Sequence, residues 1–245
     1  MDVPVNVVVA VDGTSGSGKS STCRAVAVRL GLRYLDTGAQ YRAVTWWMLH
    51  HGVDVHDPAA VAARAAEPVL ASGTDPLAPT ITVDGRDVSV EIRSDEVNGA
   101  VSPVSAVPEV RARLVDLQRE IIAPAAGPRG GIVVEGRDIG SVVWPQADLK
   151  VYLTADPAAR AARRALENGG ADVTATRESL LARDRIDSGR AVAPLTMADG
   201  AVHVDSTELT LDEVVDVVVG LVARRGQGAG PESPRHAPHG VGEAR

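Results

Sequence analysis

The chain has 245 residues, 44% of them apolar and 23% charged, with a net charge of −7. That is enough for one large α/β domain, or a core carrying inserted subdomains. The acidic balance argues against a duplex nucleic-acid binder, and three Trp, three Tyr and no Phe leave no stacking platform for single strands. A lone cysteine, Cys23, excludes an internal disulfide and a Cys-rich zinc site. No basic leader precedes the first apolar run, and no stretch reaches the ~20 apolar residues of a membrane span. A cytoplasmic setting is expected.

Residues 5–11 read as a strand buried on both faces. Gly13-Thr14-Ser15-Gly16-Ser17-Gly18-Lys19-Ser20 follows and fits G-x-x-x-x-G-K-[ST], the phosphate-binding P-loop. Its glycines let the backbone turn so that N–H groups point inward at phosphate oxygens. The helix expected over 19–30 and ended by Gly31 adds a positive dipole end. Lys19 would reach the β- and γ-phosphates, and the Ser20 hydroxyl would ligate Mg²⁺. A Gly/Ser turn matching by accident is the bland alternative. The flanking strand and helix weigh against it, as does the scarcity of lysine, which occurs only at 19 and 150.

A short strand is expected at 33–35, then Asp36-Thr37-Gly38, then a helix from Ala39 to about His50. Strand, helix, strand, helix in that order predicts a parallel sheet with helices on both faces. From about Asp54 to Gly99 the texture changes. Residues 58–72 are Ala-rich and helical in character. Residues 80–92 read as a hairpin turning at Asp84-Gly85, so this piece resembles an insertion with its own small sheet. A helix over about 106–124 stops at Pro124. Buried strands are expected at 132–134 and 149–153.

Asp156 caps the next helix, with Pro157 at its first position. That helix carries Arg160, Arg163 and Arg164 and ends at Asn168-Gly169-Gly170. A second, over about 174–188, carries Arg177, Arg183 and Arg185. The last strand is read at 202–204 and the last helix at 211–224. The Gly/Pro-rich residues from 226 to 245 read as a disordered tail.

A P-loop alone implies triphosphate binding, so the acceptor must be read from other stretches. Asp36-Thr37-Gly38-Ala39-Gln40-Tyr41-Arg42 sits where a parallel sheet opens to ligands. Thr37 either donates to a ligand or caps the helix, and Arg42 either grips a phosphate or is solvated. Glu135-Gly136-Arg137-Asp138-Ile139-Gly140 follows a buried strand. There an acid suits a Mg²⁺ shell, Arg137 an anion and Asp138 a base amino group; a polar turn is the alternative. Arg183, Asp187 and Arg190 share one helical face, as a solvated ion-pair ladder would also have it. Ser102 and Arg111 form a weaker fourth pair.

Together these motifs resemble bacterial cytidylate kinase, over about Val5 to Val222. The marks are the P-loop, Asp36-Thr37-Gly38-Ala39-x-Tyr41-Arg42, the Glu135 to Gly140 stretch, and Arg183-Asp184-x-x-Asp187-Ser188-x-Arg190-Ala191-x-Ala193-Pro194-Leu195. Thr37 stands where serine is often seen, and Glu135 where Asp is commoner. The resemblance implies a single P-loop kinase domain over 1–225, with a monophosphate-binding insertion at about 54–99 and a helical lid at about 157–190. It implies ATP-dependent phosphorylation of CMP and dCMP with Mg²⁺; with the composition, a monomer without nucleic-acid or membrane partners is expected. ATP would lie on the P-loop residues, Ser21 and Arg163, with Asp205-Ser206-Thr207 beside the adenine. CMP would lie among Thr37, Arg42, Ser102, Arg111, Arg137, Asp138, Arg183, Asp187 and Arg190. Lys19, Arg137, Arg183 and Arg190 would carry the transfer. The rival readings are a P-loop kinase for another small acceptor, such as UMP, shikimate or gluconate, and a nucleotide-dependent binding protein.

Overall fold

The structure, a computed structural model, describes residues 6–127, 130–167, 170, 172–189 and 195–228. Five parallel strands form the main sheet. They are β1 (Val8–Gly13), β2 (Arg33–Asp36), β6 (Ile132–Glu135), β7 (Leu149–Thr154) and β8 (Val202–Asp205), in the spatial order β2-β6-β1-β7-β8. Their register brings Asp36 level with Glu135, and Asp12 level with Tyr152, so the carboxyl ends of β1, β2 and β6 open on one rim.

Both faces of the sheet are covered, which is why β1 is apolar without alternation. Val7, Val9 and Val11 pack with Cys23, Val26 and Ala27 of α1 (Lys19–Leu30) and with Val214, Val215 and Val218 of α8 (Leu211–Gly228). Val8 and Ala10 face the other way, onto Val115 and Ile122 of α5 (Pro108–Ala125). Gly31 ends α1 in the left-handed conformation, φ 64°, as its place after Leu30 predicts.

Three further elements, β3 (Leu70–Ser72), β4 (Ile81–Val83) and β5 (Arg86–Asp87), form a small antiparallel sheet. It shares a separate core with α2 (Thr37–His50), α3 (Pro58–Arg64) and α4 (Asp95–Ala106). α6 (Pro157–Glu167) and α7 (Val173–Ser188) form a helical pair between β7 and β8 in the chain.

Several expectations are corrected. The helical texture of 58–72 covers only α3, because Pro68 forces its predecessor out of helix and the chain turns into β3. The helix expected over about 106–124 is α5, and a further helix not expected from the sequence, α4, stands before it. Pro108 holds Val107 extended, at φ −70° and ψ 123°, between α4 and α5. α4 itself has a legible start, Ser94 accepting from Val97 N with Asp95 and Glu96 in the first turn. α5 runs one residue past Pro124. The return strand of the hairpin is two residues long, since the Asp87 carboxylate accepts from Ser89 N at 2.9 Å and turns the chain away. The first strand lies at Val8–Gly13 rather than 5–11. α2 starts at Thr37, capped by the Asp36 carboxylate accepting from Ala39 N at 2.9 Å, so Thr37 is not the cap. α8 continues to Gly228, into the stretch read as tail, and 229–245 lie outside the described residues.

Candidate active site

The P-loop sits at the carboxyl end of β1. Gly13 has φ 149°, and a Cβ there would fall 1.9 Å from the Leu153 carbonyl oxygen, so no other residue fits between β1 and β7. Gly18, at φ 85°, caps α1. Lys19 is buried under the loop and donates to the Thr14 carbonyl at 2.5 Å. Burial, then the charge of Arg137, pulls its ammonium well below the usual lysine range, while Glu135 opposes that.

Glu135 ends β6 beside the loop. Its carboxylate accepts from Ser20 Oγ at 3.1 Å and from Tyr34 OH at 2.5 Å. Burial, then Asp36, pushes this carboxyl up, and burial with Glu135 beside it keeps the Tyr34 phenol protonated. A hydroxyl and a carboxylate at hydrogen-bond distance form the kind of hard-oxygen pair that a divalent cation accepts.

A cleft of about 630 Å³ runs from this loop to the small-sheet side of the molecule. Ser15, Gly16, Gly18, Lys19, Ser20 and Ser21 line one end. Thr37, Arg42, Ser102 and Arg111 line it further along, with Arg137, Asp138, Arg183 and Asp187. Gly13, Thr14 and Ser17 belong to the loop but stand behind this wall. Arg163 also stays off it: its guanidinium donates to the carbonyls of Ser206, Thr207 and Leu209, at 2.6, 3.2 and 3.3 Å, and braces that loop. Ser206 Oγ in turn donates to the Ser17 carbonyl at 3.3 Å. Arg190 lies outside the described residues.

The cleft's polar groups hold one another. Arg111 pairs with Asp138, both buried, and donates to the Ser105 carbonyl at 3.3 Å. Arg137 Nε donates to Asp187 at 3.0 Å, joining the β6 loop to α7. Thr37 Oγ1 donates to the Glu135 carbonyl at 2.7 Å. Arg42 donates to the Asn98 side chain. Burial, then Arg183, lowers Arg42 to about 9, and burial, then Arg137, lowers Arg183 to about 10. Both stay charged at neutral pH. Guanidinium groups crowded enough to lower one another make a wall suited to a polyanion. The buried Nε of Arg183 has no hydrogen-bond partner among the described residues.

Other residues belong to this site without having been singled out. Arg24, Arg93 and Arg164 line the cleft. Asp184 of α7 accepts from Ser15 N at 2.9 Å and pairs with Arg160 at 2.5 Å, while Arg160 donates to the Ser15 carbonyl at 2.8 Å. Thus α6 and α7 grip one P-loop residue from both sides. Helical arginines read as solvated in a sequence, and only the fold turns these inward. Asp12, which lies behind the cleft and not on its wall, also had a signal, since a carboxylate inside an apolar strand demands buried partners.

The cytidylate kinase family profile matches residues 9–224. The chain belongs to the cytidylate kinase family. A cytidylate kinase of Streptomyces griseus is 63% identical over 217 residues, 89% of this chain and 93% of that protein. One from Nocardia farcinica is 54% identical over 228 residues, 91% of this chain and 96% of that protein. Among solved structures, an uncharacterized protein from Eubacterium ventriosum shares the fold at a TM-score of 0.50. It is 9% identical, with 89% of this chain and 99% of that one covered. The architecture is the P-loop kinase fold.

Proposed function

We infer that this protein transfers the γ-phosphoryl group of ATP to CMP and dCMP, giving CDP and dCDP. The observation that carries this reading is one cleft with two unlike ends. A P-loop stands at one end, and arginines from separate elements at the other, around the buried Arg111–Asp138 pair.

The acceptor is already an anion, so the step needs positioning and charge neutralisation more than a strong base. An oxygen of the CMP phosphate attacks the γ-phosphorus, the bond to the β–γ bridging oxygen breaks, and ADP leaves with that electron pair. On this reading the P-loop N–H groups and Lys19 hold the triphosphate. Arg42 and Arg137 hold the acceptor phosphate, with Arg190, and Arg183 covers charge on the moving group. Ser102, Arg111 and Asp187 read cytosine and sugar. Mg²⁺, held with ATP by Ser20 and with Glu135 in reach, would neutralise β- and γ-oxygens.

The parts of the fold take roles accordingly. The segment 54–99 with its small sheet is the monophosphate-binding insertion on the 1–225 domain. The α6–α7 pair, within 157–190, is the lid. Its grip on Ser15 supports that assignment, because a lid must meet the P-loop to exclude water. We take the enzyme to be a cytoplasmic monomer. Among the described residues no helix is long and apolar enough to cross a membrane.

The test is ADP release with CMP, dCMP, UMP, AMP and shikimate as acceptors. CMP and dCMP should turn over fastest; equal or faster turnover with any of the others would refute the reading.

A further inference from the structure

Asp12 touches no wall of the cleft, yet it ties the strand that leads into the P-loop to the segment that carries Arg137 and Asp138. It is 3% exposed, one residue before Gly13 of the P-loop. Its carboxylate oxygens take two successive backbone donors, Ile139 N at 2.7 Å and Gly140 N at 2.8 Å. Arg137 and Asp138 stand directly before those donors. The turn beyond is wide and self-bonded: Val142 N and Val143 N donate to the Asp138 carbonyl, and Trp144 N to that of Ile139. Gly136 N donates to the Val11 carbonyl at 3.0 Å, so β1 holds this segment at both ends.

We propose that Asp12 is a positioning residue for the acceptor side: its ionised carboxylate sets where Arg137 and Asp138 stand, and protonation of Asp12 weakens the hold on CMP. The chemistry is that of the two-donor grip. A carboxylate accepts both N–H groups, whereas a neutral acid offers one carbonyl oxygen and turns an O–H donor toward the second N–H.

The surroundings set the pH at which this happens. Burial raises the Asp12 carboxyl to about 6; the two N–H bonds oppose it, the nearby Asp138 charge adds to the rise, and Lys19 lowers it. Tyr152, level with it on β7, also faces it, and Cys23 on α1 lies across the sheet within electrostatic reach. Burial raises both of these groups above their ordinary values, which keeps them neutral at neutral pH. Asp12 is therefore ionised at neutral pH and gains its proton as pH falls through about 6. The loss of CMP affinity belongs to the acid side.

The inference rests on Arg137 and Asp138 serving the acceptor. The experiment measures kcat and both KM values for wild type and Asp12→Asn between about pH 5 and about pH 8. Asparagine mimics the protonated acid. CMP's own phosphate titrates near pH ~6 in both proteins, so the ratio of the two KM values isolates Asp12. The variant should show about a tenfold higher KM for CMP at neutral pH, with the KM for ATP within about twofold. That ratio should fall toward one at the acid end. A ratio flat with pH, or a rise shared by ATP, would overturn the proposal. A second readout needs no variant. The Ile139 and Gly140 amide resonances of the wild type should titrate together near pH 6, and amides that do not move overturn the grip itself. Arg137→Ala with unchanged KM for CMP would instead sink the acceptor-side assignment, leaving the amide titration to report on Asp12 alone.

Discussion

One end of the cleft is built from backbone N–H groups and one lysine of a single run, Gly13 to Ser20. The other is lined by arginines from α2, α5, α6, α7, the turn before α4 and the loop after β6. Backbone donors are neutral and fixed by φ and ψ, so many fit in a short loop. Guanidinium groups reach far but repel, so they come from separate elements and are held in place by carboxylates. Arg111 has Asp138, Arg137 has Asp187, and Arg160 has Asp184. Arg183, crowded by Arg137 and Arg164, has a buried Nε without a partner among the described residues. Arg111 and Arg137 stand in the wall with their carboxylates, Arg160 stands behind it, and we propose that Arg183 meets the charge of the transferring group.

The contrast can be attacked at both ends. Lys19→Ala removes the single cation of the backbone end, and kcat/KM for CDP formation should fall by about three orders of magnitude or more. Near-normal turnover would remove the P-loop from the mechanism. Arg183→Ala should lower kcat about a hundredfold with a smaller change in the KM for ATP. If the loss fell wholly on KM, Arg183 would be a binding group only.

Arg111→Ala removes the buried guanidinium that pairs with Asp138 and with the Ser105 carbonyl, at a cost of about 3–5 kcal/mol in urea unfolding. Asp187→Ala, whose partner Arg137 is partly exposed, should cost much less stability. Both should relax the preference for CMP over UMP by about tenfold. Unchanged selectivity in both would refute their role in reading the base. The smallest effect is expected from Asp184→Asn. It keeps an acceptor for Ser15 N but loses the ion pair with Arg160, so ATP hydrolysis without acceptor should rise only about threefold. No rise would separate the α6–α7 grip from water exclusion.

The same contrast explains what could be read from the chain in advance. The backbone end is contiguous, so strand, glycines, Lys19 and Ser20 all show in one line of sequence. The central strands were legible because burial on both faces leaves unbroken apolar runs. α4 went unread, although Ser94, Asp95 and Glu96 mark its start, because it lies where the chain's texture suggested an insertion built on a small sheet. Asp184 and Ser15 stand 169 residues apart, and nothing local marks Asp184 as their link. Arg24, Arg93 and Arg164 carry no spacing that separates them from solvated arginines, and the fold alone turns them toward the cleft. Arg163, a helical arginine expected at ATP, donates to the 206–209 carbonyls, the loop expected beside the adenine.

Cys23 lies four residues after Lys19 on α1, fully shielded, with its thiol held protonated by burial and by the acidic Glu135 nearby. It is also the chain's one sulfhydryl. A thiol reagent can reach it only when α1 parts from the sheet. Its labelling rate is therefore a clock for that excursion, and any ligand that fastens the P-loop to α1 slows the clock.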